Sequence, residues 1–218
     1  MKHKYLGKFI TLEGTEGAGK STNLKFMESW LKAQDIEVIT TREPGGTDIS
    51  EAVRAILLDN NNTAMTAETE LLLMFAARNQ HLQEKIIPAL EAGKWVISDR
   101  FTDASYAYQG AARGISYGRI LELEQWVQQG FYPNMTFVFD LSIEEGMKRV
   151  KSRGQTDRFE EEEHDFFEKV RSAYLNRAKQ APQRYEVIDA GLPLVQVQAQ
   201  VEQKLKQLCL SAGKKVVA

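Results

Sequence analysis

The densest chemistry in the chain sits in one short stretch, "GTEGAGKS", from Gly14 to Ser21. Its spacing is G-x-x-x-x-G-K-[ST]. An apolar run, "FITLE", precedes it, and a helical pattern from Lys20 to Ala33 follows. Each residue type has a physical use there. Gly14, Gly17 and Gly19, with the small Ala18 and with Thr15 and Glu16 between them, let backbone N–H groups curl around phosphate oxygens. The helix start adds its positive dipole end. Lys20 brings a mobile charge to β- and γ-phosphates, and the Ser21 hydroxyl, followed by Thr22, can ligate Mg²⁺. A chance glycine-rich turn has no reason to lie between a strand and a helix. The motif therefore predicts nucleoside triphosphate binding and leaves open what happens next.

A switch GTPase on the same loop would read guanine through an N-K-x-D segment, and none occurs. A phosphoryl-transfer kinase needs a second pocket for an acceptor, and four stretches could build one. "TREPGGT", Thr41 to Thr47, ends the second predicted strand, where open α/β sheets present ligands; a Pro-Gly turn with a surface arginine fits the spacing equally. In "LLLMFAARNQH", Met74 and Arg78 are i and i+4, and Phe75 and Arg78 are i and i+3, so they share a helix face. A ring or thioether beside a guanidinium can sandwich a flat base. Leu71 to Leu73 read better as core, and the alternative for Arg78 is a place at the core's rim. "VISDRF" sets Asp99 and Arg100 at the C-terminal edge of the sheet, suited to Mg²⁺ or its waters and to an anionic acceptor. "SYAYQG", Ser105 to Gly110, follows at once. In "KRVKSRGQTDRFE", Lys148, Arg149, Lys151, Arg153 and Arg158 surround Gly154, as a basic loop closing over phosphates would require. A solvated helix end fits Lys148 and Lys151 as well.

These residues must be positioned by alternating strands and helices. Strands are expected at Phe9 to Glu13, Ile36 to Thr40, Lys94 to Asp99, "MTFVFDL" and "YEVIDA". Helices are expected at Lys20 to Ala33, "ISEAVRAILL", Ala67 to Glu91 with Pro88 as a kink, "YGRILELEQWVQQG" closed by Gly130, "SIEEGMKRVKSR", "HDFFEKVRSAYLNRAKQ" and "PLVQVQAQVEQKLKQLCL". Short apolar strands alternating with helices give an α/β three-layer sandwich, a five-stranded parallel sheet flanked by helices.

The 218 residues suffice for one core, and a single domain over 1–218 is expected. A net charge of -2 weighs against a dedicated nucleic-acid or membrane-surface binder. Cys209 is the one cysteine, so no internal disulfide forms, which fits a reducing, cytoplasmic setting. No secretory signal or membrane span is visible. His3, His81 and His164 lack metal-ligand spacing and read as surface or helix residues. The acidic run Glu160 to Glu163 reads as a solvated helix start.

Taken together, "LEGTEGAGKST", "TREPGGT", "FAAR", "DRF", "AYQGAARGI" and "RGQTDRFE" resemble the bacterial thymidylate kinase family, from Phe9 to about Arg177. The resemblance implies a P-loop nucleotide kinase fold with a lid at about residues 149–161. It implies transfer of the γ-phosphate of ATP to thymidine monophosphate (dTMP), with Mg²⁺, in a homodimer. In that pattern Glu16 contacts the acceptor sugar or the metal, and Ser21 and Asp99 serve the metal. Arg42, Arg54 and Arg100 surround the acceptor phosphate, with Pro44 and Leu58 in the same pocket. Arg78 reads thymine, while Ser105, Tyr108 and Gln109 line base and deoxyribose. Gly17 stands where another branch of the family carries a catalytic arginine, so Arg153 of the lid is expected to supply it, with Arg149 beside the ATP. Many members place phenylalanine four residues before the thymine arginine. Here that place is Met74, and Phe75 lies three before; either can stack on the base, and Phe75 is the favoured one.

The base chemistry agrees with that expectation. Arg78 has donors only and suits the keto oxygen of thymine rather than the amino group of cytosine. Gln109 offers a donor and an acceptor, which fits an imide edge. One methyl separates thymine from uracil, worth about 1–3 kcal/mol, so some use of deoxyuridine monophosphate is expected. A deoxynucleoside acceptor would leave Arg42, Arg54 and Arg100 in excess, and a non-catalytic nucleotide switch would not need the lid arginines.

Overall fold

The structure is a computed structural model that describes residues 5–152, 154, 157–214 and 216. Five parallel strands form its centre: β1 (Phe9–Glu13), β2 (Val38–Arg42), β3 (Trp95–Asp99), β4 (Met135–Asp140) and β5 (Tyr185–Asp189), in the order β2-β3-β1-β4-β5. The pleat divides their side chains. Ile10, Leu12, Trp95, Ile97, Phe137 and Phe139 face one side, where they pack on Met27 and Leu31 of α1 (Lys20–Ala33) and on Val197, Val201 and Leu205 of α9 (Leu194–Ser211). Phe9 and Val96 face the other side with Leu82, Ile86 and Leu90, and Val138 does so against Phe167, Val170 and Tyr174 of α8 (His164–Gln180). Each such side chain gains about 1.5–3 kcal/mol on burial. Coverage of both faces is thus what holds the expected three layers together.

Register decides what the sheet presents. Arg42 and Leu12 both pair with Asp99, and Asp140 pairs with Asp189, so the strand ends are level. Glu13, Arg42 and Asp99 therefore share one edge, and the loop into α1 rises from it.

Several local boundaries differ from the sequence reading. The second strand is Val38–Arg42, two residues later than expected. Ile36 is buried in the turn after α1, where its N–H donates to Leu31 O (3.1 Å), and pairing with β3 carries the strand on to Arg42. The long helical stretch divides into α3 (Ala67–His81), a π turn over Leu82–Ile86, and α4 (Ile87–Glu91). Pro88 lacks an N–H and its ring crowds the carbonyl four residues back; the wider turn before it relieves that clash. Helix α6 (Tyr117–Gln128) ends on Gln129 in the left-handed region, at φ 48°, one residue before Gly130. Leu72, expected in the core, is 56% exposed. His81 is buried rather than superficial, His164 is exposed, and His3 lies outside the described residues. Of the acidic run, the exposed Glu163 stands at the N-cap of α8 as expected, residues 160 and 161 form a turn ahead of it, and Glu162 pairs with Arg113 (2.6 Å).

Candidate active site

A cleft of about 700 Å³ opens over the C-terminal edge of the sheet. The loop from Glu16 to Gly19 lines it, with Lys20, Ser21, Thr22 and Asn23 of α1. Gly14 and Thr15 do not line it; their carbonyls accept from Lys20 Nζ, at 3.1 and 2.8 Å. Burial pulls the Lys20 pKa below its ordinary value, and the nearby charge of Arg100 adds to this. Gly17, at φ 72°, touches helix α7 (Ile143–Lys151) so closely that a Cβ there would lie 2.3 Å from Gly146 O. That contact leaves no room for an arginine at position 17.

Arg100 binds the far side of the loop. It donates to Gly14 O (2.9 Å), to the Tyr174 hydroxyl (3.1 Å) and to Glu16 Oε1, and Glu16 also accepts from the Tyr108 hydroxyl (3.1 Å). Beneath them Glu13 accepts from Phe101 N and the Tyr174 hydroxyl, both at 2.8 Å. Its burial, and then the charge of Asp103, pushes its carboxyl well above the usual carboxylate range.

At the other end, Arg42, Pro44, Arg54 and Leu58 line the cleft beside Arg100. Arg42 reaches Glu51 (3.0 Å), and Arg54 donates to Pro44 O (2.7 Å). Burial, then the charge of Arg42, lowers the Arg54 pKa from its ordinary value, the mark of a positive field that an anion would relieve.

Arg78 is 2% exposed, which overturns its reading as a rim residue, yet it also lines the cleft. Its Nε donates to Glu43 Oε2 (2.7 Å), Nη1 and Nη2 to Ser105 Oγ (3.2 and 3.1 Å), and Nη2 to Phe101 O (3.2 Å). Burial alone would raise the Glu43 carboxyl, but Arg78 and His81 together hold it below the usual range. The expectation for Phe75 is corrected. Its ring sits in the core with Leu71, Tyr106, Ile115 and Ile120, 4.6 Å below the Arg78 guanidinium, and does not line the cleft. Met74, four before Arg78, does. Both spacings share the Arg78 face; packing decides between them, because Phe75 turns into the core with Tyr106 and Ile120 while Met74 stays half-buried against Tyr108 and its neighbours.

Ser105, Tyr108 and Gln109 line the same wall, the last two on a second π turn, Tyr106–Ala112, that follows the short helix α5 (Thr102–Ser105). Among the described residues, three buried side-chain oxygens have no hydrogen-bond partner: Asn23 Oδ1, Asp99 Oδ1 and Gln109 Oε1. All three residues line this cleft. Buried polar atoms are rarely left orphaned except where a ligand or ion completes them. Asp99 with the exposed Ser21 hydroxyl fits a divalent metal whose remaining ligands are phosphate oxygens and water. No cluster of three or more His, Cys, Asp or Glu suited to a metal occurs among the described residues.

Of the basic segment, Arg149 lines the cleft and donates to Gly17 O (3.3 Å). Arg158 instead donates to Leu57 O (2.9 Å) and Glu70 (2.6 Å). Arg153 lies outside the described residues. The sequence reading missed several lining residues: Glu43, Phe101 and Ala104; Asp157, Phe159 and Glu160; and Ala190, Leu192, Leu194 and Val197 after β5. It also missed Glu70. Glu70, Met74 and Arg78 follow i, i+4, i+8, so a carboxylate on the face of Arg78 was a signal in plain view.

A parallel sheet with a glycine loop opening into α1, and a cleft joining that loop to an arginine-lined acceptor end, define a P-loop nucleotide kinase. A family model described as thymidylate kinase matches residues 12–201. The thymidylate kinase of Ectopseudomonas mendocina (strain ymp) is 56% identical over 202 residues, covering 93% of this chain and 96% of its own. That of Ruthia magnifica subsp. Calyptogena magnifica is 53% identical over 196 residues, 90% and 96%. A crystal structure of thymidylate kinase from Ehrlichia chaffeensis superposes with a TM-score of 0.74 at 32% identity, covering 91% of this chain and 98% of that one. The chain belongs to the thymidylate kinase family.

Proposed function

We propose that the chain transfers the γ-phosphoryl group of ATP to dTMP, giving thymidine diphosphate and ADP. Membership of the family supports the reaction, and one observation carries the acceptor. Arg78, with donors only, and Gln109, whose Oε1 is an acceptor without a partner, both line the cleft. Thymine offers a keto oxygen to the first and an N–H to the second; cytosine offers the reverse.

The residues then divide the work. Lys20 and the loop N–H groups hold the donor phosphates. Arg42, Arg54 and Arg100 hold the acceptor phosphate, with Glu16 setting Arg100 through their ion pair. Met74 packs on the base, and Tyr108 and Ser105 flank it. The apolar Ala190, Leu192 and Leu194 suit the donor's adenine. Ser21 and Asp99 would hold Mg²⁺, which neutralises phosphate charge when bound. The acceptor is already an anion, so no general base is required, and catalysis is positioning plus charge neutralisation. Residues 149–161 act as a lid within a single 1–218 domain, bringing Arg149 and Arg153 to the transferring group.

Incubation with ATP, Mg²⁺ and dTMP, followed by chromatography, should give thymidine diphosphate. Arg78→Ala is expected to raise the KM for dTMP by about 10- to 100-fold, the worth of a hydrogen bond from a charged group, and to leave the KM for ATP nearly unchanged. It should also lower thermal stability, since Glu43 is left buried without its arginine. Unchanged acceptor affinity in the folded variant would make Arg78 a core residue only.

The working form in this reading is a cytoplasmic homodimer with no nucleic-acid or membrane partner. No helix among the described residues is long and apolar enough to cross a membrane. Helix α2 (Asp48–Leu58) packs on α3, and α3 on α6, and these helices expose Ile49, Ile56, Leu72 and Leu121. Sedimentation should give the mass of two chains, falling to one in Leu72→Glu; an unchanged mass would place the dimer contact elsewhere.

A further inference from the structure

We propose that Glu70 is a positioning residue that sets which pyrimidine the acceptor site accepts, by fixing the orientation of the Gln109 amide. The inference rests on the reading that this end of the cleft holds dTMP. Glu70 stands on the first turn of α3, outside every motif in the sequence, and is 1% exposed. Its Oε1 accepts from Gln109 Nε2 at 2.8 Å. Its Oε2 accepts from Arg158 Nη2 at 2.6 Å, and Arg113 reaches both oxygens, at 3.4 and 3.3 Å.

A carboxylate between two guanidiniums offers acceptors only. Gln109 is itself 1% exposed and has no freedom to seek water. Gln109 can hydrogen-bond this carboxylate only through its NH₂ group, which leaves Oε1 as the atom for a ligand. The orphaned state of that oxygen is the other half of the same arrangement. An acceptor at this place selects a base with a ring N–H, as in thymine and uracil, and opposes the bare ring nitrogen of cytosine. The selectivity of Gln109 is thus borrowed from a residue that does not line the cleft.

Replacement by glutamine makes a sharp test. In Glu70→Gln, the short contact from Arg158 claims the one remaining carbonyl oxygen, so the new NH₂ group faces Gln109. The Gln109 amide then turns over to accept from it, and its own NH₂ faces the base. The ratio of kcat/KM for dTMP to that for deoxycytidine monophosphate should fall by at least about tenfold, the change expected when one buried hydrogen bond is reversed. The change should lie in the acceptor KM values, with the KM for ATP unmoved. Glu162→Gln, which alters the other partner of Arg113, should leave the ratio alone.

If Glu70→Gln does not fold, Glu70→Asp decides. It keeps the charge between Arg113 and Arg158 but draws the carboxylate back from Gln109, and a smaller fall in the same ratio is expected. A folded variant with an unchanged ratio overturns the proposal, and so does a uniform loss of activity on both acceptors with the ratio intact. A wild-type protein that used both monophosphates equally would instead refute the dTMP reading on which the proposal stands.

Discussion

Lys20→Ala is expected to reduce phosphoryl transfer by about 10³-fold or more while the protein still folds. Its Nζ is the one lysine ammonium among the residues lining the cleft, and the transferring phosphoryl group is where negative charge must be met. The Lys20 ammonium donates to two loop carbonyls, Gly14 O and Thr15 O, and pairs with Glu16 at 4.0 Å. Removing it forfeits two hydrogen bonds from a charged group, about 3–6 kcal/mol in all, and also removes a buried cation whose ionisation burial opposes. The two effects offset each other, so thermal unfolding should move by only a few degrees. A stable variant with near-normal turnover would show that the phosphates are not met by this lysine.

The second large effect is expected at Arg153. Gly17 cannot carry an arginine here, because a side chain at that position would strike the backbone of α7 at Gly146. In the proposed reading, the charge that develops in transfer and is not met by Lys20 is met from the basic segment. Arg158 is committed to Leu57 O and Glu70 and is not spare for that task. Arg149 already reaches the loop at Gly17 O. An arginine that arrives only on closure stabilises the transition state more than the bound substrates. Arg153→Ala should therefore lower kcat by about 10³-fold with little change in either KM. Arg158→Ala should leave kcat within a few-fold. Collapse of kcat in Arg149→Ala with Arg153→Ala near normal would assign the role to Arg149, and indifference to all three would remove the lid from the mechanism.

The sheet was legible because its strands are apolar on both faces and each helix between them carries its own period; pairing merely moved β2 two residues along. The phosphate loop was legible because glycine spacing, lysine and hydroxyl form a local pattern with local physics. The acceptor site was harder. Arg78 was visible by its place among alanines, but its burial depends on Glu43, which comes from the end of another strand and is held there with His81 of the same last turn. Phe75 misled because an aromatic ring near an arginine suggests stacking, and only the packing of α3 against Tyr106 and Ile120 shows the ring turned into the core. The apolar residues after β5 carried no motif at all, and Glu70 showed only a helix face shared with Met74 and Arg78. Their part comes from long-range contact, which one sequence read by itself does not display.

The central claim, an acceptor site built for dTMP next to a phosphate loop, is tested most directly by ADP release with ATP and Mg²⁺ across dTMP, deoxyuridine monophosphate, deoxycytidine monophosphate and thymidine. The account predicts the highest kcat/KM on dTMP. It predicts deoxyuridine monophosphate lower by about 10- to 200-fold, the worth of one methyl. It predicts rates near background on deoxycytidine monophosphate, which mismatches Arg78 and Gln109, and on thymidine, which leaves three arginines without a phosphate. Equal efficiency on either of the last two, or ADP release that needs no acceptor, would contradict it.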